Sequence, residues 1–170
     1  MKQYSGLVTD NIGLAGVVGF LFTTQQSVLR YIVKASMLVL LNGLLLSQLL
    51  VRLLPEVPMV IDKVDLVAEV YIVVLFGPFF ETLMMVVIFW IIGWFTKNLL
   101  ATALISALVW ALLHGISFPI QGIINFFSFF VYSIAYLIWR PLSFWRAFGI
   151  TSAIHMINNA VIVLLVFFLE

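Results

Sequence analysis

The amino-acid sequence predicts an all-α, polytopic transmembrane helical bundle. It has about five spanning helices and a short N-terminal segment that is half-embedded or interfacial. Three observations lead there. Of 170 residues, 65% are hydrophobic and 9% charged, against roughly 45–50% and about 25% in soluble domains. The apolar residues fall in runs of helix-spanning length, about 20 residues for a hydrocarbon core of ~30 Å. The ten-residue alternation of a membrane β-barrel is absent, and a helix satisfies its own backbone hydrogen bonds in lipid. This composition excludes a soluble globular domain, a disordered chain and a nucleic-acid partner; the lipid bilayer is the expected surrounding. Eight Lys/Arg against seven Asp/Glu leave a net charge of +1, which names no partner. The absence of cysteine removes disulfides, thiolate nucleophiles, iron–sulfur clusters and cysteine-based zinc sites. Residues 1–170 read as one integral membrane domain.

Along the chain, Lys2 and the apolar run Ile12–Phe22 imitate a signal peptide. Thr-Thr-Gln-Gln follows where a small-x-small cleavage site would stand, so a removable leader is not expected. Eleven apolar residues are short for a span, hence the half-embedded reading. Five long segments come next: Tyr31–Leu50; Val67–Phe95, with a break expected at Gly77-Pro78; Leu99–Phe118, ended by Pro119; Ile120–Trp139, closed by Arg140-Pro141; and Phe144–Leu169. Pro55, Pro58, Asp62 and Asp65 make residues 55–66 a polar connection. The other connections are short, which makes neighbouring helices antiparallel.

Arg30, Lys34, Lys97, Arg140 and Arg146 fall on one face of this topology. Arg52 and Lys63 fall on the other, diluted by Glu56, Asp62 and Asp65. The first face is expected to be cytoplasmic, by the excess of Lys and Arg on that side, with the chain in a bacterial cytoplasmic membrane. Trp139 and Trp145 near Arg140 read as an interfacial aromatic belt. The sixteen phenylalanines read as lipid-facing filling, and Met84 and Met85 as lipid-facing or core filling.

The informative residues are polar ones inside apolar runs: Glu81, His114, His155 and Asn159. At 1.5 Å per residue, Glu81 lies about 24 Å from Lys97 and His114 about 22 Å from Leu99. His155 and Asn159 lie about 13 Å and about 19 Å from Arg146 on the same rise. All four can meet between mid-membrane and the outer leaflet. A charge at that depth costs at least ~2.5–3.5 kcal/mol, so it faces the bundle interior and finds a partner. A carboxylate near an imidazole with a trapped water has the ingredients of a general base. His155 and Asn159 are i and i+4 on one helix face with Thr151 a turn earlier, and Trp110 and His114 share the i, i+4 relation. A break at Gly77-Pro78 would leave helix-start amides free beside Glu81. Asn158 points to another face and reads as structural.

These residues form three motifs. Pro78-Phe-Phe-Glu81-Thr82-Leu-Met-Met-Val86 resembles a proline-preceded Glu-Glu pair with Arg four residues after the second Glu. Trp110-Ala-Leu-Leu-His114 resembles an aromatic residue four before a His. His155-Met-Ile-Asn-Asn159 resembles His followed four later by Asn. In this order the chain resembles the CAAX-protease and bacteriocin-processing family of intramembrane endopeptidases over about residues 67–165. Thr82 stands at the second Glu of that pattern and Val86 at its Arg. The resemblance implies an endopeptidase acting on a membrane-associated protein or peptide. Glu81 would be the general base, His114 would help activate water, and His155 and Asn159 would stabilise the oxyanion. No cofactor is the expected state; the alternative is zinc held by Glu81, His114 and His155 with water in the open position. A non-catalytic relative acting in bacteriocin immunity or partner binding is the second functional reading. A bis-histidine haem protein and an ion carrier are further alternatives. The first leaves Glu81 and Asn159 idle, and the second finds no inverted repeat.

Overall fold

The computed structural model describes residues 18–54, 66–116 and 118–169. The N-terminal segment falls largely, and the polar connection at 55–66 all but its last residue, outside the described residues. What is described is helical, with no strand among the described residues. A single 3-10 turn, Gly19–Phe22, precedes α1 (Val28–Leu53). Next come α2 (Leu66–Glu69, Val70–Phe76 and Gly77–Ile92), α3 (Leu99–Gly115), α4 (Pro119–Trp139) and α5 (Phe144–Leu169). Four of the five, all but α3, are long and apolar enough to cross a membrane. The chain is an integral membrane protein with an all-α bundle fold.

Local chemistry sets the ends. Ser27 caps α1 by accepting from the Arg30 N–H, and Asn98 caps α3 by accepting from the Ala101 N–H at 3.0 Å, each satisfying one of the amides a helix start leaves unpaired. The Lys97 ammonium donates to the Gly93 carbonyl at the end of α2, where a cation also suits the helix dipole. α3 stops at Gly115 rather than at the expected Phe118, leaving it 17 residues long. Pro119 accounts for this. It biases the residue before it away from helix, and Phe118 is extended at φ −139°, ψ 95°. Pro119 itself opens α4, where its missing N–H has no helical partner to lose.

The expected break at Gly77-Pro78 is absent. The chain winds through it as one helix, with Val70–Phe76 in π form and the Gly77 N–H bonded to the Ile72 carbonyl five residues back. Pro78 is accommodated by widening the turn before it, so no free helix-start amides face Glu81.

α4 is the central helix, packed on α1, α3 and α5. Its closest approach is to α3, where a Cβ on Gly122 would stand 2.5 Å from the Ala111 carbonyl oxygen and 2.9 Å from Gly115 Cα. Two glycines let these backbones touch, as small residues do between membrane helices. Elsewhere Tyr31 of α1 meets Trp139 edge to face at 5.4 Å, Phe89 of α2 stacks on Tyr136 at 5.3 Å, and the Ser133 hydroxyl donates to Ser106 of α3. These contacts bring the start of α1 and the end of α2 to the end of α4. Arg30, Lys34, Lys97, Arg140 and Arg146 therefore gather at one end of the bundle. Trp145 is exposed there as expected, but Trp139 is only 2% exposed: it is core, because Tyr31 covers it. Met84 faces outward and Met85 is buried. The 3-10 turn is tied down rather than free, since Leu21 is buried and its carbonyl accepts from the Tyr31 hydroxyl.

Candidate functional site

Three helices carry the two histidines and the membrane-depth glutamate to one place. Glu81 sits just past the first turn after the π segment of α2, His114 in the last turn of α3, and His155 about eleven residues into α5. Glu81 Oε2 lies 4.0 Å from His114 Nε2 and 3.6 Å from His155 Nε2. His155 is buried, while the Glu81 and His114 side chains keep roughly a quarter of their surface open, 26% and 29%. Glu81 Oε2 and His114 Nε2 are themselves shielded and have no direct hydrogen-bond partner. Both separations exceed a direct hydrogen bond. As they stand, Oε2 and His114 Nε2 are closed to water, so a water between them needs the side chains to part. The helices bring one carboxylate and two imidazoles together, with the rest of the Glu81 and His114 side chains partly open.

α4 supplies the walls, and the sequence reading missed them. The Tyr132 ring stacks on the His155 imidazole at 4.5 Å, and Phe129 meets that imidazole edge-on at 5.4 Å. Phe129 also lies 5.3 Å from His114 and stacks on Trp110 at 4.5 Å. Trp110 thus packs on the site through Phe129 and lies 5.9 Å from His114. Treating the phenylalanines as lipid-facing filling is wrong for Phe129, which is 2% exposed. The available signal was the i, i+3 spacing of Phe129 and Tyr132, which puts both rings on one face of α4.

Asn159 lies one turn beyond His155 on α5 and reaches α2. Its Nδ2 donates to the Val73 carbonyl at 2.8 Å, which leaves its second amide hydrogen. Thr82, at the second Glu of the family pattern, is buried and donates to the Pro78 carbonyl at 2.7 Å. Val86, at the Arg position, packs against the core. Asn158 donates to the Ile154 carbonyl of its own helix, and Thr151 is fully buried with no partner for its hydroxyl.

As placed, the three groups of the zinc alternative stand wider than a zinc ligand set. Among the described residues no group of three His, Cys, Asp or Glu is placed to hold a metal ion. Tetrahedral ligands at about 2.0–2.1 Å from zinc stand about 3.3–3.4 Å apart, closer than the 3.6 and 4.0 Å that separate Glu81 from the two imidazoles.

Beside the site, between α3 and α4, an open apolar groove of about 600 Å³ is lined by Ala111, Leu112, Gly115, Pro119, Gly122 and Phe126, among others. Compared with protein-family profiles, curated proteins and solved structures, the chain has no match.

Proposed function

We propose that this protein is an intramembrane endopeptidase that hydrolyses a peptide bond in a membrane-associated protein or peptide. The observation that carries the reading is the convergence of Glu81, His114 and His155, from three separate helices, within 4.0 Å of the Glu81 carboxylate. Charged and polar groups at this depth are costly and concentrate where function needs them.

In the reaction, Glu81 removes a proton from water, and the oxygen attacks the carbonyl carbon of the scissile bond. His114, with Nε2 4.0 Å from Oε2, orients that water. The carbonyl π electrons move to oxygen, and His155 Nε2–H donates to the oxyanion. Collapse of the tetrahedral species breaks the C–N bond, and the proton held by Glu81 passes to the departing amine. Tyr132 and Phe129 hold the His155 ring in place, an orientation effect rather than a chemical one. The basic end is read as the cytoplasmic side of a bacterial membrane, by the Lys/Arg excess. The active groups then lie roughly 17–22 Å from that end, counted along α3 and α5.

A second reading, a non-catalytic relative in bacteriocin immunity or partner binding, is favoured by one observation. Neither Thr82 nor Val86 offers the site a charge, since Thr82 gives its hydroxyl hydrogen to the Pro78 carbonyl and the valine packs in the core. One experiment separates the two. Purified protein is assayed against a library of membrane peptides, with and without chelator, beside Glu81→Gln and His114→Ala. Cleavage by wild type that both variants lose and chelator leaves unchanged supports the peptidase. Variants as active as wild type would defeat it.

A further inference from the structure

The Val73 carbonyl is the product of an arrangement in α2. Within a helix it would take a hydrogen bond from the amide four or five residues ahead. The Gly77 amide is committed to Ile72. Residue 78 is proline and has no N–H. Neither neighbouring amide is available to it. Asn159 Nδ2, from α5, supplies the missing donor at 2.8 Å.

We propose that Asn159 is a positioning residue: it clamps the π segment of α2 to α5 through the Val73 carbonyl and thereby fixes the direction in which Glu81 points. The π segment winds less per residue than an α-helix, so its seven residues set the azimuth at which Gly77–Ile92 begins. Glu81 is only four residues beyond Gly77, so an error in azimuth is passed to its carboxylate. His155 lies one turn from Asn159 on α5, so one helix both holds the base in register and presents an imidazole to it. The link to Glu81's chemistry rests on the peptidase reading; the clamp itself does not.

A double-mutant cycle tests both. Pro78→Ala restores an N–H that can reach the Val73 carbonyl from within α2 and makes the clamp redundant. Wild type, Asn159→Ala, Pro78→Ala and the double variant are compared by thermal unfolding in detergent and by peptide cleavage. Asn159→Ala is expected to unfold at lower temperature and to lose about tenfold in kcat, the scale of one buried hydrogen bond, with KM little changed. In the Pro78→Ala background the same substitution is expected to change either readout less than twofold. If Asn159→Ala alone fails to accumulate, recovery of folded protein in the double variant supports the clamp equally. Equal losses in both backgrounds, no loss in either, or failure of both to fold overturns the proposal. Thermal recovery without recovery of kcat also overturns positioning and leaves Asn159 as a direct donor to the reacting group. Thermal coupling in a wild type that cleaves nothing supports the clamp and removes the peptidase reading instead.

Discussion

Replacing Gly122 by alanine probes the contact on which His114 depends. The added Cβ would stand 2.5 Å from the Ala111 carbonyl oxygen, about 0.9 Å inside an ordinary contact, and 2.9 Å from Gly115 Cα. Both obstacles are backbone, so no side-chain rotation relieves them. α3 must lift from α4 by most of an ångström. Overpacking of this kind costs about 1–3 kcal/mol, partly offset by the ~1 kcal/mol alanine gains over glycine in a helix. The expected net loss of up to about 2 kcal/mol corresponds to a fall of up to about 8 °C in unfolding midpoint for a chain of this size. Because His114 sits between Ala111 and Gly115, the same lift moves its imidazole off Glu81, and misplacement by about 1 Å can cost ~10²-fold in rate. The measurement is thermal unfolding in detergent followed by tryptophan fluorescence, since Trp110 is in the displaced helix, with cleavage measured in parallel. Gly43→Ala and Gly149→Ala are the controls: a Cβ at either meets nothing within 4 Å, so both are expected to match wild type or exceed it by at most about 1 kcal/mol. Gly122→Ala unfolding at or above the temperature of these controls would refute the close-approach argument.

Other expectations follow from the same geometry. Glu81→Gln and His155→Ala should each lower cleavage by about 10²–10⁴-fold while the purified proteins keep wild-type helical circular dichroism. Thr82→Val should leave the rate within about twofold, because the hydroxyl serves the Pro78 carbonyl of its own helix and such back-bonding adds little to helix stability; a large kcat loss would place Thr82 in the chemistry. Thr82→Glu should lower the yield of folded protein, since it puts a carboxylate at a position only 1% exposed. Tyr132→Phe keeps the ring stacked on His155 and should retain most activity, whereas Tyr132→Leu removes the stack and should cost about tenfold, the scale of an aromatic pair of about 0.5–1.5 kcal/mol; equal rates for the two would remove the aromatic wall from the argument.

The candidate residues were legible in the sequence because a membrane makes polarity conspicuous. Glu81, His114 and His155 stand out in apolar runs, and counting along each helix leaves them able to meet between mid-membrane and the outer leaflet. Their surroundings were not legible. Phe129 and Tyr132 are apolar residues in an apolar helix, so nothing local separates a ring that walls a site from one that faces lipid. Trp139 misled for a related reason: proximity to Arg140 suggests an interface, and only the position of Tyr31 makes it core.

Segment number, helical state and the basic end were written into residue type and spacing, since burying backbone amides in hydrocarbon leaves a chain this apolar no other economical form. Helix rotation and pairing were not, because they depend on how surfaces distant in the chain fit together. The Gly77-Pro78 pair reads equally as a break or as a widened turn. In the fold it is a widened turn, and the donor that meets the Val73 carbonyl there is Asn159, 86 residues further along the chain.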